Sequence, residues 1–200
     1  MISDLLKLAE CNQRRARAIL ESTDLFTIWQ RHGIRPELVG SLRTGLLLRN
    51  LDIDMHMYSE PFSMSDSFAA MAELARNPRI RRIEYANLLD AEDNCLEWHA
   101  WYEDEMGETW RFDMMHIRME SRYAGYFERV ADRILERLTP ETRHAVLEIK
   151  DGLERTPAPS GKVMSVEIYQ AVLEDSVRDT ASFLAWKSAR PEAGIVEWMP

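Results

Sequence analysis

Asp52 and Asp54 are separated by one residue within Leu51–Tyr58, a stretch whose side chains alternate between apolar and polar types. In an extended strand successive side chains point to opposite faces. This spacing therefore puts both carboxylates on one face, with His56 and Tyr58 beyond them, and Ile53, Met55 and Met57 on the other. Two carboxylates on one face can ligate the same hard cation through oxygen. A third from a neighbouring strand would complete a set suited to a pair of divalent ions, which stand about 3.5–4 Å apart in enzymes that transfer phosphoryl groups. Asp113, in Arg111-Phe112-Asp113, is expected to supply it. Upstream, Gly40-Ser41 reads as a tight turn where backbone and hydroxyl can approach phosphate oxygens closely. From Leu42 onward, a short helix would turn N-terminal amides toward the same anion.

The elements that must position these residues follow from periodicity. The first 30 residues have helical spacing, through Leu5, Leu8, Ile19, Leu20, Ile28 and Trp29, until His32-Gly33 breaks the pattern. Pro36 marks the approach to a short strand over 37–40, and 42–49 reads as a brief helix or turn. Pro61 ends the strand that carries the two aspartates. A helix follows through Phe68, Met71, Ala72 and Ala75, stopped by Asn77-Pro78. Strands are expected over 79–89, 95–102 and 109–117, the last two forming a hairpin across 103–108 with Gly107 in the turn. Beyond residue 120 the pattern is helical. Phe127, Val130, Ile134 and Leu138 make one stripe, and Val146, Ile149 and Leu153 another. A linker is expected over 156–161, then a last helical region through Tyr169, Val172, Leu173 and Val177 that Pro191 closes. The expected class is α+β, a mixed sheet flanked by helices with a helical C-terminal third. Residues 1–119 form the core with its N-terminal helices, and residues 120–200 pack on it, all within the size of one compact domain.

The segment Leu38-Val39-Gly40-Ser41-Leu42-Arg43-Thr44-Gly45, followed by Leu51-Asp52-Ile53-Asp54, resembles the polymerase-beta-like nucleotidyltransferase superfamily. Its signature is a strand ending in Gly-Ser, a short helix, a strand bearing Asp-x-Asp, and a third acidic residue on a later strand. Arg43 and Gly45 are similar to the Gly-Ser-x-Arg-x-Gly form of its small bacterial members, which often carry a serine where this chain has Leu51. The resemblance spans roughly residues 35 to 117. It implies that Gly40 and Ser41, with Arg43 as a further phosphate contact, hold a nucleoside triphosphate such as ATP. It also implies that Asp52, Asp54 and Asp113 form a catalytic triad binding magnesium, two ions in all, and that Asp113 helps deprotonate an acceptor hydroxyl. The function it implies is transfer of a nucleoside monophosphate to a small-molecule or protein hydroxyl. The alternative is an inactive relative acting as a binding or antitoxin-like module.

Composition narrows the partners. Two hundred residues with 46% apolar content carry a net charge of −9, which argues against a protein that coats nucleic acid by neutralising phosphates. Nucleic acid is therefore not expected as a partner. No apolar run approaches the roughly 18 residues of a membrane span, and Met1–Leu6 does not read as a secretory signal. Cys11 and Cys95 are the only cysteines, which fits a reducing cytoplasm. His56 shares the aspartate face and is open to either a substrate contact or a structural role. His99 and His116 lie in strands without ligand spacing. Trp98, Trp101 and Trp110 are expected to fill space between sheet and helices. Lys162 is expected to be solvated, and the acidic turn 103–108 would favour a cationic acceptor if it rimmed a cleft.

Overall fold

The structure is a computed structural model and describes residues 2–155, 163–190 and 197–200. The linker expected over 156–161, Lys162 and Pro191 lie outside the described residues. Two helices, α1 (Ile2–Ser22) and α2 (Leu25–Arg31), open the chain within the stretch that periodicity marked as helical. The break is local. The Thr23 hydroxyl takes the Ile19 carbonyl at 2.7 Å, and Asp24 adopts a left-handed backbone with φ of 52°. Strand β1 (Arg35–Leu38) then leads into α3 (Gly40–Thr44), so Gly40 opens a helix rather than closing a strand. Pro36 is accommodated because β1 is an edge strand, where a missing donor costs little.

Next come β2 (Asp52–Tyr58), α4 (Met64–Leu74), β3 (Ile80–Leu88), β4 (Cys95–Glu103) and β5 (Thr109–Ile117). Four helices follow: α5 (Tyr126–Arg137), α6 (Pro140–Arg155), α7 (Ser165–Leu173) and α8 (Thr180–Ser188). Ser63 caps α4 by accepting from Asp66 N at 3.2 Å, and Asp179 caps α8 by accepting from Ser182 N at 2.9 Å. The five strands run in the order β1-β2-β5-β4-β3. β2 and β5 pair in parallel, and the other neighbours are antiparallel.

One face of this sheet is apolar. Ile53, Met55 and Met57 of β2, Phe112 and Met114 of β5, and Trp98 and Ala100 of β4 are buried against α1, α2 and α4. Trp98 donates to Ser67 Oγ at 2.9 Å and packs on Phe68, and Trp110 is fully buried, as expected of space-filling rings. A second apolar cluster joins α5, α6, α7 and α8 to Ala9 of α1 and to Leu46 and Leu48 after α3. The loop 45–51 therefore belongs to both cores. Among the described residues, no helix is long and apolar enough to cross a membrane.

Candidate active site

The second face of the sheet looks into a cleft of about 480 Å³. Gly40, Ser41, Asp52, Asp54, Arg111 and Asp113 line one side of it, while Phe127, Val130 and Ile134 of α5 and Tyr169 of α7 line the other. The parallel register places Asp54 beside Asp113 and Asp52 beside Arg111. Two carboxylates adjacent in sequence thus meet the third through strand pairing. The Gly40–Ser41 turn is tied to the same point, because Val39 N donates to Asp54 O at 3.0 Å. Gly40 has φ of +60°, and a Cβ added there would lie 2.1 Å from Asp54 Oδ2. Both conditions require glycine. The Asp54 carboxylate rests against bare backbone.

Such crowding of like charge has a price in ionisation. Burial, then Asp113 and Asp52, push the Asp54 carboxyl up to about 7. Asp52 is also raised, first by burial, with Arg111 opposing and Asp113 adding to the shift. Arg111 answers part of this charge. Its Nε stands 2.7 Å from Asp113 Oδ1, and one terminal nitrogen donates to Asp113 Oδ2 at 2.7 Å and to Asp52 Oδ2 at 3.2 Å. Burial works against its charge, but the carboxylates of Asp113 and Asp52 outweigh that and hold it protonated.

Lys150 and Tyr169 are functional candidates absent from the sequence reading. Lys150, buried on α6, donates to Ser41 Oγ and to Leu46 O, both at 2.9 Å. The Tyr169 hydroxyl lies 3.0 Å from the same Ser41 oxygen. A signal was available: Lys150 falls on the Val146–Ile149–Leu153 stripe, where an inward helical position should be apolar unless it serves a polar partner. His99 was also passed over. Its Nδ1 lies 2.7 Å from Asp113 Oδ1 and its Nε2 lies 3.2 Å from Glu97. A hairpin closed across 103–108 sets His99 opposite Asp113, so the turn alone contained this contact.

Other expected contacts fall elsewhere. Arg43 grips Asp132 of α5 through two nitrogens at 2.8 and 2.9 Å and donates to Leu38 O at 2.9 Å. Its guanidinium braces α3 against α5 and does not line the cleft, and the phosphate contact expected of it would need that pair with Asp132 to open. The acidic turn 103–108 does not rim the cleft. Asp104 instead accepts from Met106 N, Glu108 N and Trp110 Nε1, and it pairs with Arg15 of α1. His56 lines the cleft, but its Nδ1 lies 3.2 Å from the Tyr58 hydroxyl and 3.3 Å from Glu128, linking β2 to α5.

The donor set suits a hard divalent cation. It consists of three carboxylates on neighbouring strands, two of them, Asp54 and Asp52, raised first by burial. In the arrangement seen, no group of three or more His, Cys, Asp or Glu among the described residues is disposed as a finished metal site. Arg111 explains this, since its fork spans two of the three carboxylates.

The fold is shared with solved structures of low sequence identity, nucleotidyl-transferring enzymes among them. A cytoplasmic RNA terminal U-transferase is 18% identical, with a TM-score of 0.58 over 80% of this chain and 45% of that one. The Cid1 poly(U) polymerase bound to MgGTP is 17% identical, with a TM-score of 0.61 over 81% of this chain and 49% of its own. The GLD-2/RNP-8 complex gives 9% identity and a TM-score of 0.59 over 86% of this chain and 64% of that one. This chain therefore spans about half the length of the first two. No protein-family model and no curated protein matches the sequence. These structures correct one expectation. An RNA terminal transferase, and Cid1 in complex with ApU, share the fold, so a net negative charge does not argue nucleic acid out of the partners. Overall charge governs nonspecific coating, whereas a strand end held in a cleft needs only local complementarity.

Proposed function

We propose that this chain is a magnesium-dependent nucleotidyltransferase that moves a nucleoside monophosphate from a nucleoside triphosphate to a hydroxyl acceptor. The observation that carries this reading is the meeting of Asp52, Asp54 and Asp113 on paired strands beside the Gly40–Ser41 turn. Asp52, Asp54 and Asp113 would hold the magnesium, with two ions as the working stoichiometry. Bound there, the metal supplies charge neutralisation of the triphosphate and polarisation of the acceptor oxygen. Asp113 takes the proton from the acceptor hydroxyl, held in orientation by His99. Gly40 and Ser41 receive the triphosphate, and Lys150, hydrogen-bonded to Ser41, adds a buried cation on that side. Residues 1–119 would carry the metal and phosphate contacts. Residues 120–200 would close the cleft over the base or acceptor ring with Phe127, Val130, Ile134 and Tyr169.

The acceptor panel begins with an RNA 3′ end, the acceptor class named for structures sharing the fold, and continues with small-molecule and protein hydroxyls. Incubation with labelled ATP, GTP or UTP, magnesium and this panel is expected to yield a labelled product that disappears with Asp52→Asn. No transfer, together with no magnesium-dependent nucleotide binding, sinks the reading. A second reading, a catalytically silent binding module on this fold, draws on the guanidinium lodged among the carboxylates. It is favoured if nucleotide binds without turnover on any acceptor and Asp52→Asn leaves that binding unchanged.

A further inference from the structure

The cleft contains its own cation. Arg111 sits two residues before Asp113 on β5, on the same sheet face and directly across from Asp52. Its guanidinium takes both oxygens of Asp113 and reaches Asp52 Oδ2 as well. The hydrogen bond to Asp113 Oδ2 holds that carboxylate in orientation, while Nε lies at ion-pair distance from Oδ1 without a hydrogen bond of its own. The carboxylate cannot turn toward a metal without breaking that contact. Asp54, the most strongly perturbed of the three, has no side-chain bond to Arg111 and feels it only at longer range. So the internal cation covers two ligands and leaves one acidic group underneutralised.

Building on the proposed function, we propose that Arg111 is a metal surrogate that sets the order of loading: the site discriminates against free divalent cation and accepts it together with a nucleoside triphosphate. The physical case is one of exchange. A free ion arriving alone must expel the guanidinium from Asp113 and Asp52 and leave that charge without a partner in a partly buried cleft. Stranding a charge in this way is costly. An ion arriving on a triphosphate brings anionic oxygens with it. These supply coordination the protein does not offer, and they give the released guanidinium a new partner of matching geometry. Arg111 is suited to the exchange because its side chain is 39% exposed and it lines the cleft, so it can leave the carboxylates without unfolding the strand. Loading by this route also keeps ions away from the acidic cluster until there is substrate to act on.

The test uses Mn²⁺ as the probe, followed by calorimetry and by its electron paramagnetic resonance signal. It compares the full-length wild type with Arg111→Gln and Arg111→Lys, each with and without a non-hydrolysable ATP analogue. Without nucleotide, Arg111→Gln is expected to bind Mn²⁺ at least about tenfold more tightly than wild type, a gap of about 1.4 kcal/mol. Arg111→Lys keeps the charge but loses the fork, and is expected to fall between the two. Adding the analogue should tighten Mn²⁺ binding more in wild type than in Arg111→Gln, narrowing the gap. In chelator, Arg111→Gln should melt below wild type, and Mn²⁺ should restore it by a larger shift. Equal affinity in all three proteins, or weaker binding in the variants, overturns the surrogate role while leaving metal-dependent transfer standing. Absence of Mn²⁺ binding in every protein, with and without nucleotide, overturns both.

Discussion

Strands β2 and β5 show two faces of one backbone, and the faces make opposite demands. Toward α1, α2 and α4 they present Ile53, Met55, Phe112 and Met114, all fully buried, where stability comes from apolar contact. Toward the cleft they present Asp52, Asp54, Arg111 and Asp113, where like charges are held together at a cost in stability. The histidine His116 belongs to the first face. It is fully buried beside Ser59, and burial depresses its pKa to about 4. The carboxyl Asp54 belongs to the second, with its pKa raised to about 7. One pleat thus separates groups whose ionisation is perturbed in opposite senses. A strand can hold a destabilised acidic centre on one side because the other side is packed like any core.

The largest break in this comparison should come from exchanging the demands. Asp52→Asn is expected to cut transfer on the order of 10³-fold in a steady-state assay, with a melting temperature close to wild type. Phe112→Ala, on a neighbouring strand but the opposite face, should do the reverse. It should lose about 3–5 kcal/mol in denaturant unfolding while the surviving folded fraction keeps its catalytic rate.

The pH dependence sharpens the same contrast. The unfolded chain protonates His116 near pH 6.5, whereas the folded one resists until about 4. Stability should therefore fall as pH drops through that window, by about 3 kcal/mol, and His116→Asn should remove that slope. Asp54 has the opposite sign. Its folded carboxyl keeps a proton up to about 7 where the unfolded one has lost it near 3.8. Stability in chelator should fall as pH rises across that range, and Asp54→Asn should gain on the order of 2 kcal/mol at pH 8 after solvent screening. Thermal melts at a series of pH values with EDTA check both. The smallest effect belongs to neither face. Arg43→Ala removes a partly exposed strut and should cost about 1 kcal/mol, with nucleotide affinity unchanged in calorimetry.

How much of this was legible in the residues follows the same division. Period-two alternation marked the two faces of β2, and the hairpin and its turn marked β4 and β5, because strand periodicity and turn chemistry are local signals. That locality also kept the Asp132 partner of Arg43 out of the reading. The arginine's position in the Gly-Ser-x-Arg motif faced phosphate on paper, while its partner Asp132 lies 89 residues away on a helix whose docking no local pattern specifies. Lys150 was missed for a related reason, since its contact with Ser41 crosses 109 residues. The place where the helical first 30 residues divide into two helices turns on a hydroxyl. Thr23 could take the Ile19 carbonyl and end the turn, a competition that apolar spacing does not record. That Asp113 would come from a neighbouring strand followed from chemistry rather than from pattern, and its parallel pairing with β2 was not read, as long crossovers carry no signature in the strands they join.

That crossover has a consequence for how the molecule is made. Asp52 and Arg111, neighbours in the sheet, stand 59 residues apart along the chain, with α4, β3 and β4 threaded between them. A ribosome has released two acidic residues long before it delivers the third and the arginine that tempers them. Nascent chains therefore carry no preformed ion trap, and acquisition of Mn²⁺ affinity in the presence of the nucleotide analogue during refolding would serve as a clock for the closing of the central strand pair.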